Sequence, residues 1–109
     1  KGNEKGNWLE TSCTCLFAAA ISKAVRMGIL EPSALVSAKR AFEGVIDRLT
    51  YRGEDLIIGG ICVGTGVGDY VHYCRRPTSE NDLHGTGAFL LMCAEMERTI
   101  NRQKRGDWR

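Results

Sequence analysis

Residues Cys13–Ser22 read "CTCLFAAAIS", ten positions without a charge. Their apolar residues continue at helical spacing through Leu16, Phe17, Ala20, Ile21, Ala24 and Val25, so a helix is expected from about Glu10 to Met27. Small or apolar groups occupy every side of it. A helix of that kind needs cover all round, whereas a surface helix keeps one polar face. Gly28 suits a left-handed stop, with Ile29 as hydrophobic partner of the last turn. Pro32 then opens a second helix to about Leu49, because the first turn needs no N–H there. That helix is amphipathic: Lys39, Arg40, Glu43, Asp47 and Arg48 oppose Leu35, Phe42, Val45, Ile46 and Leu49.

A third helix is expected from Asn81–Asp82 to about Arg102. Its stretch Gly85–Ala94, "GTGAFLLMCA", again lacks charge. The order is therefore buried, exposed, buried. This is the pattern of a double-layered helical toroid, in which inner helices are ringed by outer ones. Three helices cannot enclose two of their own number, so the chain reads as a segment of something larger. The competing reading is a compact three-helix domain that buries both helices against the intervening loop.

The chain has 109 residues, enough for one domain or part of one. Fifteen Lys and Arg against thirteen Asp and Glu give no general case for nucleic-acid or membrane binding. The basic cluster "RTINRQKRGDWR" (98–109) reads as a solvated helix end and tail, and "KGNEKGN" (1–7) as an exposed lead-in. Five cysteines, Cys13, Cys15, Cys62, Cys74 and Cys93, leave at least one unpaired. With neither a signal peptide nor a membrane-length apolar run, free thiols in a cytoplasmic protein fit best. No spaced Cys or His pair completes a zinc set with Cys13 and Cys15, so no metal is expected.

Between the second and third helices lies "GGICVGTGVGDY" (Gly59–Tyr70), with five glycines in twelve residues. Short strands are expected at Leu56–Ile58 and Ile61–Val63, with Gly59–Gly60 turning between them. Gly64-Thr65-Gly66-Val67-Gly68 lacks G-x-G-x-x-G spacing and a following Lys–Ser/Thr pair. It is expected to open no helix, since Tyr70–Pro77 shows no helical pattern, and a nucleotide site is therefore set aside. The loop instead delivers Asp69 and Tyr70 to one place. Asp69 either hydrogen-bonds a hydroxyl or ties the loop to a helix start. Arg75 and Arg76 could meet an anion, although solvation is the commoner role.

Both presumed inner helices open on polar stretches, "NWLETS" (7–12) and "TSENDLHG" (78–85). Unpaired N–H groups there favour anions. The candidate binding residues are Trp8, Glu10, Thr11, Ser12, Asp69, Tyr70, Asn81, Asp82 and His84. Trp8 could stack on a sugar ring or staple into the core. Glu10 could accept from sugar hydroxyls or serve as a first-turn acid. Ser79 with Asp82 resembles a capping box. His84 is either a core histidine or a site residue, and the flanking Gly85 and Gly87 suggest close approach of a backbone or ligand.

"NWLETSCTCLFAAAISKAVRMGIL" and "GICVGTGVGDYVHYCRRPTSENDLHGTGAFLLMCAEME", in this order, closely resemble the C-terminal part of bacterial unsaturated rhamnogalacturonyl hydrolases. These form glycoside hydrolase family 105 and are related to the unsaturated glucuronyl hydrolases of family 88. The resemblance spans about residues 7–97. It implies the last portion of an all-α (α/α)6 barrel, with no metal or organic cofactor. It further implies an activity that removes a 4,5-unsaturated uronic acid from a pectin-derived oligosaccharide. In that chemistry a carboxylic acid protonates the double bond and water adds, unlike the usual two-carboxylate scheme. The family's catalytic aspartate lies in the N-terminal portion, so the resemblance gives neither Asp69 nor Asp82 that role. By position, residues 8–12, 64–70 and 79–85 would line the barrel mouth. The expected partners are an unsaturated acidic oligosaccharide and the remainder of the barrel. A non-catalytic carbohydrate-binding or interaction module built from the same fold is the alternative.

Overall fold

The computed structural model describes residues 4–106. Helix α1 spans Thr11–Arg26; a 3₁₀ turn at Pro32–Ala34 leads into α2, Leu35–Asp47. Strands β1 (Thr50–Arg52) and β2 (Asp55–Ile57) follow, then β3 (Ile61–Cys62), α3 (Tyr70–Cys74), β4 (Thr78–Ser79) and α4 (Leu83–Arg105). The expected exposed lead-in and basic tail are seen in part: residues 4–7 are exposed and α4 carries Arg98–Arg105. Residues 1–3 and 107–109 lie outside the described residues.

Helix α1 lies between α2 and α4, while α2 and α4 hardly touch. Small side chains make this close packing possible: Cys15, Ala18, Ala19 and Ser22 are all buried. Facing them, Ala88, Phe89, Met92 and Met96 of α4 and Ala38 and Val45 of α2 complete the core, with Ile58 and Ile61 closing its end. One buried carboxylate, Glu95, is satisfied by Arg26 at 3.1 Å and Arg98 at 3.3 Å, which ties the end of α1 to α4. On α2 the expected apolar face holds except at Ile46, which is exposed.

The α1 stop forms as the sequence predicts. Gly28 takes φ +74°, Gly28 N donates to Val25 O and Ile29 N donates to Ala24 O, the paired bonds of a Schellman ending. The Ile29 side chain, however, stays exposed and staples nothing.

The strand expectation needs correction. Two runs do extend near 56–58 and 61–63, but they do not pair with each other. Strand β2 folds back on β1, with Tyr51 opposite Leu56, and β3 pairs with the distant β4, Ile61 opposite Ser79. Gly59–Gly60 is a connector drawn against the start of α1. Thr11 N donates to Gly60 O at 2.9 Å and Thr11 Oγ1 to Gly59 O at 2.6 Å. Gly60 has φ +70°, and a Cβ there would sit 2.9 Å from Thr11 Oγ1, so this contact requires glycine. The glycine loop also opens a helix after all. Asp69 accepts from His72 N at 2.8 Å and caps the single turn α3. One turn is too short to leave a periodic signal in sequence.

The molecule is a slab, 45 × 36 × 21 Å, about two helix diameters thick. Its radius of gyration is 15.4 Å, against roughly 13 Å for a self-contained domain of this length. Its accessible surface is 7540 Å², against roughly 6,000 Å² for a folded monomer of this mass. Large apolar side chains contribute to that surface: Leu16 and Phe17 of α1 and Leu83, Leu90 and Leu91 of α4 are all exposed. The uncharged runs of these two helices bury one side each and leave another bare, as inner helices of a larger layered ring do when their neighbours are absent.

Candidate functional site

The starts of α1 and α4 meet the glycine loop and α3 around an open cleft of about 610 Å³, in the size range of small-molecule sites. Of the nine candidates, Trp8, Glu10, Ser12, Tyr70 and His84 line it. Asn7, Cys13, Cys62, Gly64, Thr65, Tyr73, Cys74 and Arg76 complete the wall.

Glu10 is the joint on which this wall is built. It is the N-cap of α1, accepting from Cys13 N at 2.6 Å and from Ser12 Oγ at 2.5 Å. It also accepts from Cys62 N at 3.0 Å, which pins β3 to the helix start. Burial pushes the carboxyl up, but the bonds from Ser12, Cys13 and Cys62 outweigh it and hold the pKa at about 2. Glu10 is thus a fixed anion at neutral pH, already supplied with donors, and no source of a proton. Its charge also takes up the positive end of α1.

Four candidates hold the frame and do not line the cleft. Thr11 is buried and bonded to the Gly59–Gly60 connector. Asn81, at φ +53°, accepts from Ile58 N at 2.7 Å and donates to Leu56 O at 3.0 Å, fixing the hairpin to the head of α4. Asp69 caps α3. Asp82 caps α4 through His84 N at 3.2 Å. The capping box expected of Ser79 does not form, because Ser79 is drawn into β4 and Asp82 itself occupies the cap position.

His84 is exposed, with Nδ1 2.5 Å from Asp82 Oδ1, so it is not a core histidine. Gly85 is closely approached, but by the buried Ile61 side chain and not by the backbone or ligand expected: a Cβ there would fall inside that side chain. Gly87 has open space instead. Trp8 is half-buried in the wall, and Tyr70 Oη donates to Lys5 O at 3.2 Å.

Two wall residues were undervalued by sequence reasoning. Tyr73 Oη accepts from Gly68 N at 3.1 Å, and Arg76 Nη2 donates to Val63 O at 2.6 Å and to Gly64 O. Together they clamp both ends of the glycine loop. The "YCRRP" run offers no local signal for the Arg76 clamp, since its partners are backbone carbonyls twelve and thirteen positions earlier.

The wall thiol of Cys13 is raised to about 11, by burial first and then by Glu10, so it is protonated and no nucleophile at neutral pH. Cys15 beneath it is likewise pushed up to about 11, by burial and then Cys93. All five cysteines are free. Among the described residues no group of His, Cys, Asp and Glu is arranged to hold a metal ion, and no helix is long and apolar enough to cross a membrane.

The sequence profile of Glycosyl Hydrolase Family 88 matches residues 1–100. A glycoside hydrolase of family 105 from Clostridium acetobutylicum ATCC 824 superposes with a TM-score of 0.80 at 32% identity, over 90% of this chain and 30% of that one. A possible family 105 member from Salmonella enterica serovar Paratyphi A gives 0.77 at 28% identity, over 90% and 25%. One from Klebsiella pneumoniae gives 0.76 at 27% identity, with the same coverage. The chain therefore spans between 25% and 30% of the length of these solved structures.

Proposed function

This chain belongs to Glycosyl Hydrolase Family 88, and from that premise we propose that it is the C-terminal portion of a helical-barrel glycosidase. Its parent removes a 4,5-unsaturated galacturonyl residue from the non-reducing end of pectin-derived rhamnogalacturonan oligosaccharides, in the cytoplasm. The observation that carries this reading is the cleft at the starts of α1 and α4. It gathers an indole, two phenols and an imidazole over a rigidly bonded frame, an arrangement suited to the faces and hydroxyls of a sugar. In this reading Trp8, Tyr70 and His84 contact the sugar, while Glu10 and Ser12 set the shape of the wall. Thr11, Asp69, Asn81 and Asp82 act one layer back, by holding the loop and the helix starts in place.

The chain supplies one wall and no acid. Glu10, the carboxylate in that wall, stays ionised, and protonation of the vinyl ether needs a carboxylic acid that holds its proton near neutral pH. That acid belongs to the rest of the barrel, which also covers Leu16, Phe17, Leu90 and Leu91. A stand-alone binding module is disfavoured by this large bare apolar face.

The test is an assay on unsaturated rhamnogalacturonan disaccharide, following loss of the double-bond absorbance. The whole protein should turn the substrate over and the 109-residue chain should not. Turnover by the chain alone would refute the assignment of the acid to the missing portion.

A further inference from the structure

Asp82 and His84 form a couple at the cleft wall. Asp82 is the N-cap of α4, and its Oδ1 accepts from His84 N at 3.2 Å. The same oxygen lies 2.5 Å from His84 Nδ1. A carboxylate oxygen accepts and has no proton to give, so the hydrogen of that short contact sits on Nδ1. A neutral imidazole with its hydrogen on Nδ1 carries a bare lone pair on Nε2. Among the described residues nothing bonds to Nε2, and His84 lines the cleft half-exposed. Asp82 is itself held in place. Its neighbour Asn81 bonds to Leu56 O and Ile58 N, and Asp82 O accepts from Thr86 N at 2.8 Å. The carboxylate therefore fixes the ring and does not follow it.

Such an acceptor complements the rest of the wall. Trp8 can only donate, and Tyr73 Oη, which accepts from Gly68 N, has its own proton left to give. Glu10, the carboxylate of the wall, already accepts from three donors. A sugar hydroxyl turned to this wall has a proton to place, and a nitrogen lone pair takes it. The other histidine offers no such group: His72 does not line the cleft, and its Nε2 is buried. We propose that Asp82 is a positioning residue that holds His84 in the Nδ1–H form, so that Nε2 is preset as the acceptor for a hydroxyl of the bound sugar. The proposal rests on the sugar-cleft reading above and deepens it, by giving Asp82 a task beyond capping α4.

The experiment reads the histidine tautomer by nitrogen NMR in the whole protein at about pH 9, where an ordinary imidazole is neutral. His84 is assigned by the signals lost in His84→Asn. Its Nδ1–H form should dominate, against the Nε2–H form that an unconstrained histidine prefers. Added galacturonate should shift the Nε2 signal. Asp82→Ser keeps a helix cap and removes the carboxylate. In that variant Nε2–H should take over, and galacturonate should bind about 3- to 10-fold more weakly by calorimetry. His84→Asn should lose affinity to the same extent. A dominant Nε2–H form in the wild type overturns the proposal without any ligand. So does galacturonate that binds with measurable heat and leaves the Nε2 signal where it was. Weaker binding by Asp82→Ser with the tautomer unchanged also overturns it, by reducing Asp82 to a cap. These outcomes sink the proposal alone. If galacturonate gives the wild type neither heat nor a shifted signal, the sugar-cleft reading itself fails and the proposal goes with it.

Discussion

Glu10 shows how one residue carries two readings in sequence and how the fold makes one of them visible. An acid beside an indole at a helix start is compatible with sugar binding or with capping. The bond from Cys13 N shows the cap, and Cys62 N from β3, 52 positions away, adds a further donor at which nothing in the sequence hinted. The pH behaviour follows. The folded pKa is about 2, below the ordinary 4.5, so the stabilisation from Glu10 is fully present above about pH 4.5 and is lost as pH falls towards 2. Half-exposure and solvent screening limit its size. Glu10→Gln should therefore cost about 1–2 kcal/mol at pH 7. Denaturant melts of the two proteins should differ at pH 7 and converge near pH 2. A gap that persists in acid would mean that side-chain shape, not charge, is what Glu10 contributes.

Among the elements, the helices were legible because their signals are local. Gly28, Pro32 and the uncharged runs act within a turn or two of where they stand, and α1 and α2 begin and end close to the expected places. What escaped was non-local. Leu56–Ile58 and Ile61–Val63 each read as strands, but nothing in them names a partner. Those partners are set by Thr11 holding the Gly59–Gly60 connector and by Asn81 bridging to Leu56 and Ile58. In the same way Arg76 became a wall residue through carbonyls twelve and thirteen positions earlier, whereas Trp8, Glu10, Ser12, Tyr70 and His84 sit at helix starts or beside a glycine loop and could be marked in advance.

Glycine makes the element scale testable. Gly28 holds φ +74° at the end of α1, whereas Gly44 lies inside α2 with nothing near an added Cβ. Gly44→Ala should raise stability by about 0.5–1 kcal/mol, and Gly28→Ala should lower it by about 1 kcal/mol or more. Opposite shifts in the denaturant midpoint check the pair. The same sign for both would contradict the helix boundaries described here.

For the molecule as a whole, the decisive feature is the bare apolar flank of α1 and α4. Phe17 is 66% exposed and Leu90 61%, in helices whose uncharged runs have no reason to face water. If the barrel reading holds, these side chains are covered in the parent protein, and context should change what their replacement costs. In the 109-residue chain, Phe17→Glu and Leu90→Glu alter positions already wet, so each should move stability by no more than about 0.5 kcal/mol. Each should also reduce self-association, because a charge interrupts the patch. In the whole protein the same change removes about 1.5–3 kcal/mol of burial per side chain and adds the cost of placing a carboxylate in an apolar interface. Thermal melts of both variants in both contexts, with sedimentation velocity on the short chain, measure this difference. A mild effect in the whole protein would mean that the flank stays in water there. α1 and α4 would then not be inner helices, and the cleft at their starts would not be the mouth of a barrel.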